Sequence, residues 1–294
     1  MRVQSMICLA AGLCCTTAAF AQNSGIQLVD GPAIYDVTST GNAGTIPVTE
    51  PGSTAAGIQG NFRVTGGVGG TDNSYANWWW YRSNGVSTRE LGIRQATGTA
   101  VKTTFGTNGV NYAITDGTLQ FDVSFLLTSM SATSANIYSS VRVTNNGGAA
   151  VDISLFNMMD LFLAGQDAND RVVSAGIDGA DRAINFDDSV LTSFKGQHRG
   201  FGASGFGVGS FSLVAGQVTD TSVDNFADIN GYTTPADLTS VMQFNLGSIA
   251  AGATGFAGAA FAVDVQGNAV TAIPAPGAFA LLGLGGLMVA RRRR

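Results

Sequence analysis

The chain has 294 residues, 45% hydrophobic and only 12% charged, with 40 glycines and with lysine confined to Lys102 and Lys195. Helical bundles show lysine- and glutamate-rich faces to solvent, so this composition argues against them and for a β protein with Ser, Thr, Asn and Asp on its polar faces. Five of the 15 basic residues lie at the two ends (Arg2 and Arg291 to Arg294), leaving ten against 20 acids in the body; a net of −10 repels phosphate backbones and excludes nucleic acid as a natural partner.

Residues 1–21 read as a secretory signal peptide. Arg2 supplies the positive start and Met6 to Leu13 the apolar stretch. Ala19-Phe20-Ala21 supplies the small-x-small cleavage site before Gln22. Cys8, Cys14 and Cys15 are the three cysteines, and all fall inside this leader. The mature chain then has no disulfide, no thiol chemistry and no cysteine-ligated metal.

The body, residues 22–272, carries strand signals from end to end. Short strands are predicted at Ala33 to Val37, Gly60 to Val64, Trp78 to Arg82, Val101 to Phe105 and Val110 to Thr115. Leu119, Phe121, Val123 and Phe125 alternate with polar residues, and Ile137 to Val143 does likewise. Val151, Ile153 and Leu155 continue the pattern after Thr144-Asn-Asn-Gly-Gly-Ala149, which predicts an antiparallel hairpin over Val141 to Phe156. Weaker strands are expected at Arg171 to Ser174, Val190 to Phe194 and Phe206 to Leu213. A second pair, Val241 to Leu246 and Gly255 to Val265, flanks a small-residue turn. The expected fold is an all-β, antiparallel, jelly-roll-like sandwich with an insertion around residues 160–235, plus a signal helix and a short C-terminal hydrophobic helix.

Within the body, Trp78-Trp79-Trp80-Tyr81 is the most distinctive segment. Alternation sends Trp78 and Trp80 to one face and Trp79 and Tyr81 to the other, so one pair is a candidate sugar-stacking platform. Asp160, Asp167, Asp170, Asp178, Asp181, Asp187 and Asp188 crowd one region. Such acids supply calcium ligands elsewhere, although their spacing fits no defined loop. Calcium is therefore the one cofactor left open, and no other is expected. Gly200-Phe-Gly202-Ala-Ser-Gly205 matches a dinucleotide fingerprint in letters only, because strand-like residues and more glycine follow it. His198, the single histidine, is expected on an exposed loop, with no Gly-x-Ser-x-Gly elbow to accompany it. No catalytic residue is assigned. The expectation is a non-enzyme that binds polysaccharide or builds surface material, with a polysaccharide hydrolase using a carboxylate pair as the alternative.

The chain closes with Ile273-Pro274-Ala275-Pro276-Gly277, thirteen largely apolar residues from Ala278 to Ala290, and Arg291, Arg292, Arg293 and Arg294. A helix of that length spans about 20 Å against about 30 Å of bilayer hydrocarbon, which suits a transient anchor with a basic stop. Residues 273–294 resemble the PEP-CTERM sorting signal of Gram-negative bacteria, with Ala275 where that family usually has Glu. The resemblance implies export, transient anchoring in the inner membrane, and an exosortase-type processing enzyme as partner. It also implies delivery to the outer surface or extracellular matrix, with an association with exopolysaccharide.

Overall fold

A computed structural model describes residues 26–39, 58–64, 71–84, 89–93, 101–230 and 234–274. The expected signal helix with Ala19 and Ala21, and the tail from Ala275 onward, lie outside the described residues. No helix among the described residues is long and apolar enough to cross a membrane.

The chain weaves two antiparallel sheets. Strands β1 (Ile26–Asp30), β2 (Ala33–Ser39), β3 (Ile58–Val64), β4 (Ser74–Ser83) and β5 (Leu91–Gly92) start sheet I. Strands β6 (Val101–Phe105), β7 (Gly109–Asp116), β8 (Leu119–Ser129) and β9 (Ser134–Asn145) start sheet II. The chain crosses back for β10 (Val151–Leu161), then adds β11 (Asp170–Asp178), β12 (Asp181–Asp188) and β13 (Lys195–Phe201) to sheet II. Strands β14 (Gly205–Ser210), β15 (Ile229–Asn230) and β16 (Leu238–Ile249) return to sheet I, and β17 (Thr254–Asp264) finishes in sheet II. Sheet I runs β1-β2-β3-β4-β10-β16-β14-β15 with β5 beside β4; sheet II runs β11-β12-β13-β17-β9-β8-β7-β6. The β14–β15 contact is the parallel one. Residues 160–235 are thus no separate insertion, since they extend both sheets.

Alternation explains the core. Phe121, Val123, Phe125 and Leu127 of β8 are fully buried against sheet I, while Gln120, Ser124 and Leu126 between them are less so. Tyr35 stacks on Phe125 at 5.9 Å, and Phe62 meets Phe261 edge-on at 6.1 Å, so aromatic rings fill the gap between sheets.

Both expected hairpins are corrected. β9 and β10 lie in different sheets, as do β16 and β17, so each connection is an arch over the end of the sandwich. Asn145 explains why. Its Nδ2 donates to the carbonyls of Ala149 (2.7 Å) and Ile249 (2.9 Å), and its Oδ1 accepts from Gly147 N–H (2.9 Å). One buried amide therefore staples the two arches together, and arches rather than hairpins result.

Two other expectations change. Val190 to Phe194 is a turn, because the Asp188 carboxylate accepts the Val190 and Leu191 N–H groups and curls the chain. The Phe206 to Leu213 strand stops at Ser210. Helix α1 (Phe211–Thr219) follows and buries Val214, Ala215 and Val218 on the outer face of sheet I. Gly205 is required in the glycine-rich segment, since a Cβ there would stand 1.8 Å from the Phe226 carbonyl.

Candidate functional site

Four regions were singled out by the sequence or by buried polar chemistry. The aromatic segment is interior: Trp78, Trp79, Trp80 and Tyr81 are at most 5% exposed. Phe125 and Ser139 are cross-strand partners and so share one face of sheet II. Trp78 stacks on Phe125 at 5.8 Å, while Trp79 Nε1 donates to Ser139 Oγ and Tyr81 packs on Phe121 at 4.7 Å. Strict alternation fails at Trp78 and Trp79, which both reach across to the partner sheet. The expected exposed sugar platform is therefore corrected to a core element, in which the Trp78 and Trp79 indole N–H groups are satisfied internally, by the Ile93 carbonyl and the Ser139 hydroxyl.

His198 is also corrected, from an exposed loop to a fully buried position on β13. Its Nε2 lies 2.9 Å from Asn157 Oδ1 and its Nδ1 lies 2.8 Å from Ser240 Oγ. Asn157 Nδ2 donates to Asn77 Oδ1 and to the Trp78 carbonyl, so its Oδ1 is the acceptor and Nε2 of His198 carries the proton. Nδ1 then accepts the Ser240 hydroxyl. Burial depresses the imidazole pKa to about 3, which keeps the ring neutral. The contacts resemble a Ser-His-Asn arrangement, but all three residues are at most 1% exposed, so the network joins sheet to sheet.

The aspartates divide into two groups. Asp178 and Asp181 pair with Arg199, and Asp187 takes Arg171 and Lys195. Those partners hold the Asp187 carboxyl below its usual range, against the opposing pull of burial. Asp160, Asp170 and Asp188 are instead buried together, with Asp237 half-buried and Asp167 exposed beside them. Asp170 is raised to about 9, first by burial and then by Asp188, and Asp160 is raised well above its ordinary value by burial. Asp237, which spacing alone did not place here, arrives from the loop before β16. Among the described residues, no three His, Cys, Asp or Glu side chains form a group able to hold a metal ion.

The fourth region is an open trough on the outer face of sheet II. Lys195 and Gln197 alternate with His198 on β13, so they point away from the core. A groove of about 430 Å³ runs over Ser174, Asn185, Lys195 and Gln197, walled by residues 267–271 of the segment after β17. A second hollow of about 250 Å³ shares Ser174, Asn185 and Gln197 and extends past Ile177 to Asp178. A polar relay runs along its floor. Ala272 N–H donates to Gln197 Oε1, Gln197 Nε2 to Asn185 Oδ1, and Asn185 Nδ2 to Ser174 Oγ, each at 2.8 Å. Each amide keeps a second N–H, and Ser174 keeps its hydroxyl proton. Val173, pushed out by a bulge in β11, and Ile177 are exposed along the edge. Asn136 grips Ile273 on both backbone groups, which pins the strap just before exposed Pro274.

No known protein family matches the chain, and no curated protein is similar to it. Among solved structures it is similar to a bacterial glucoamylase complexed with acarbose, at 10% identity and TM-score 0.47, over 82% of this chain and 35% of that one. It is also similar to a family 92 glycosyl hydrolase, at 13% identity and TM-score 0.40, over 83% and 30% of the two chains. A galactose mutarotase-like protein of Lactobacillus casei gives 9% identity and TM-score 0.34, over 82% and 99%. The chain spans about a third of the length of the first two. At these identities the likeness is one of fold. The expectation of a non-enzyme is withdrawn: the solved structures that the chain is similar to include a glucoamylase and a glycosyl hydrolase. That expectation rested on a missing local motif. A sandwich collects catalytic carboxylates from strands far apart in sequence, so a local motif is the wrong sign to look for.

Proposed function

We propose that the body, once exported, engages polysaccharide in the trough on the outer face of sheet II. The observation that carries the reading is the Ser174–Asn185–Gln197 relay, with spare donors along an open floor and exposed Val173 and Ile177 at its edge. Sugars offer rows of hydroxyls beside apolar ring faces, and an open trough admits a chain. The strap that walls the trough leads directly into residues 273–294, which would hold the protein at the cell envelope as an exosortase substrate. In the hydrolase form of the reading, Asp187, buried beneath the trough-lining Lys195 and paired with it and with Arg171, is one of the two carboxylates.

The test is affinity electrophoresis and calorimetry of the purified chain against a polysaccharide panel. Asn185→Ala and Gln197→Ala are each expected to weaken binding about threefold to tenfold, one or two lost hydrogen bonds; the melting temperature stays nearly unchanged in Asn185→Ala and falls in Gln197→Ala, which strips the buried Ala272 N–H of its acceptor. A folded protein that binds no member of the panel would sink the reading. Release of reducing ends by the wild type, lost in Asp187→Asn, would make the protein a hydrolase.

A further inference from the structure

We propose that Asp170 and Asp188 form a proton-sharing carboxyl pair that locks one end of the sandwich and releases it in alkaline medium. Asp170 opens β11, the edge strand of sheet II, and Asp188 closes β12; the two are cross-strand partners in the first rung of the ladder. Partners in an antiparallel rung carry their side chains on one face, with Cβ atoms about 5 Å apart. Both residues are at most 1% exposed. Neither carboxyl oxygen of Asp170 has a hydrogen-bond partner, and Oδ2 of Asp188 has none either. The other Asp188 oxygen is occupied by the Val190 and Leu191 N–H groups.

The titratable groups that act most strongly on Asp170 are all acids. Asp188 faces it from β12, Asp160 from β10 and Asp237 from the approach to β16; the Leu163 N–H pulls weakly the other way without reaching hydrogen-bond geometry. Exposed Asp167 acts in turn on Asp160 and Asp237. Two carboxylates buried side by side without a cation do not both ionise. A single proton resolves the conflict: the O–H of one carboxyl donates to a free oxygen of the other, and two of the three orphaned atoms become partners.

The pair sits where the sheets meet. Ala236 N–H donates to the Asp170 carbonyl at 3.0 Å, so the lead into β16 of sheet I hangs on the same residue. The carboxyl pKa is raised on folding, so the folded state holds the proton more tightly. The stabilisation is therefore complete below about pH 4 and is lost as pH rises toward about 9. Above that, repulsion loosens the start of β11. Because β11 also edges the trough, loosening would weaken polysaccharide binding; that consequence alone rests on the reading above.

The experiment is thermal unfolding of wild type, Asp170→Asn and Asp188→Asn from about pH 5 to about pH 9, with carbon NMR of the aspartate carboxyls in wild type. Melting temperature of wild type is expected to fall with pH above neutrality. Asp170→Asn, which mimics the protonated form, is expected to flatten that fall and to match or exceed wild type at about pH 8. A carboxyl carbon titrating above about pH 7 completes the expectation and needs no variant to fold. The proposal is overturned if both variants keep the wild-type slope and no carboxyl titrates above about pH 6. It is equally overturned if calcium raises the wild-type melting temperature and Asp170→Asn abolishes the rise, which would assign the cluster to a cation. No arm uses polysaccharide, so failure here and failure of the trough reading are told apart.

Discussion

The His198 network and the acidic end are both buried, both polar, and both bind one sheet to the other, yet they follow opposite rules. Around His198 each ring nitrogen has a partner at hydrogen-bond distance, and the ring is neutral. At the acidic end, oxygens of Asp170 and Asp188 have no partner and the surrounding charges share one sign. Burial alone therefore does not single out a functional group; unmet hydrogen bonds and uncompensated charge do. The two regions also respond oppositely to pH. The depressed His198 pKa gives a contribution present above about pH 6.5 and lost as pH falls toward 3. Asp170 loses its contribution as pH rises, so the slopes offset each other between about pH 4 and 6.5, and the acidic end dominates above.

The largest expected effect breaks the satisfied side of this comparison. His198→Ala removes a buried ring and strands Asn157 Oδ1 and the Ser240 hydroxyl, at a cost of about 3–5 kcal/mol. Urea unfolding at neutral pH measures it, and a loss under about 1 kcal/mol would mean that the sheets hold without the network. Asn145→Ala comes next, at about 2–4 kcal/mol, because two arches lose their shared donor and the Ala149 and Ile249 carbonyls are left in the interior. If the variant unfolds at the wild-type urea midpoint, Asn145 is not the staple.

Much of this architecture can be read from the residues. Period-two runs such as Leu119 to Leu127 predict their strands correctly, because one face of each antiparallel strand must be buried. What the runs do not carry is the destination of each strand. Thr144 to Ala149 has the composition of a hairpin turn, and only Asn145 reaching Ile249, 104 positions on, shows that it is an arch. The trough is illegible for the same reason: Ser174, Asn185 and Gln197 are unremarkable polar residues until three strands align them. Seven aspartates were visible as a cluster, but their division was not, since Arg199, Arg171 and Lys195 select three of them in space. Trp78 to Tyr81 misled because alternation sends one pair outward, whereas Trp78 and Trp79 both reach the partner sheet. Two sheets of this breadth accommodate them.

The smallest effect sharpens the comparison most. Ser240→Ala deletes one hydroxyl from the His198 network and leaves Nδ1 as a buried acceptor without a donor, a loss of about 1–2 kcal/mol in urea unfolding. In a nucleophilic triad the same change would abolish turnover, because the serine oxygen forms the covalent bond. Here Ser240 is fully buried, and the hydroxyl serves as a donor to a ring that never charges at neutral pH. Any reaction of this chain on polysaccharide is accordingly expected to survive Ser240→Ala at the wild-type rate while stability drops. Loss of turnover without loss of stability would move the site from the trough into the core. An unchanged rate, set beside weakened binding in Gln197→Ala, would separate the buried histidine that holds the sheets from the neighbouring outward residue that meets the ligand, one position apart on β13.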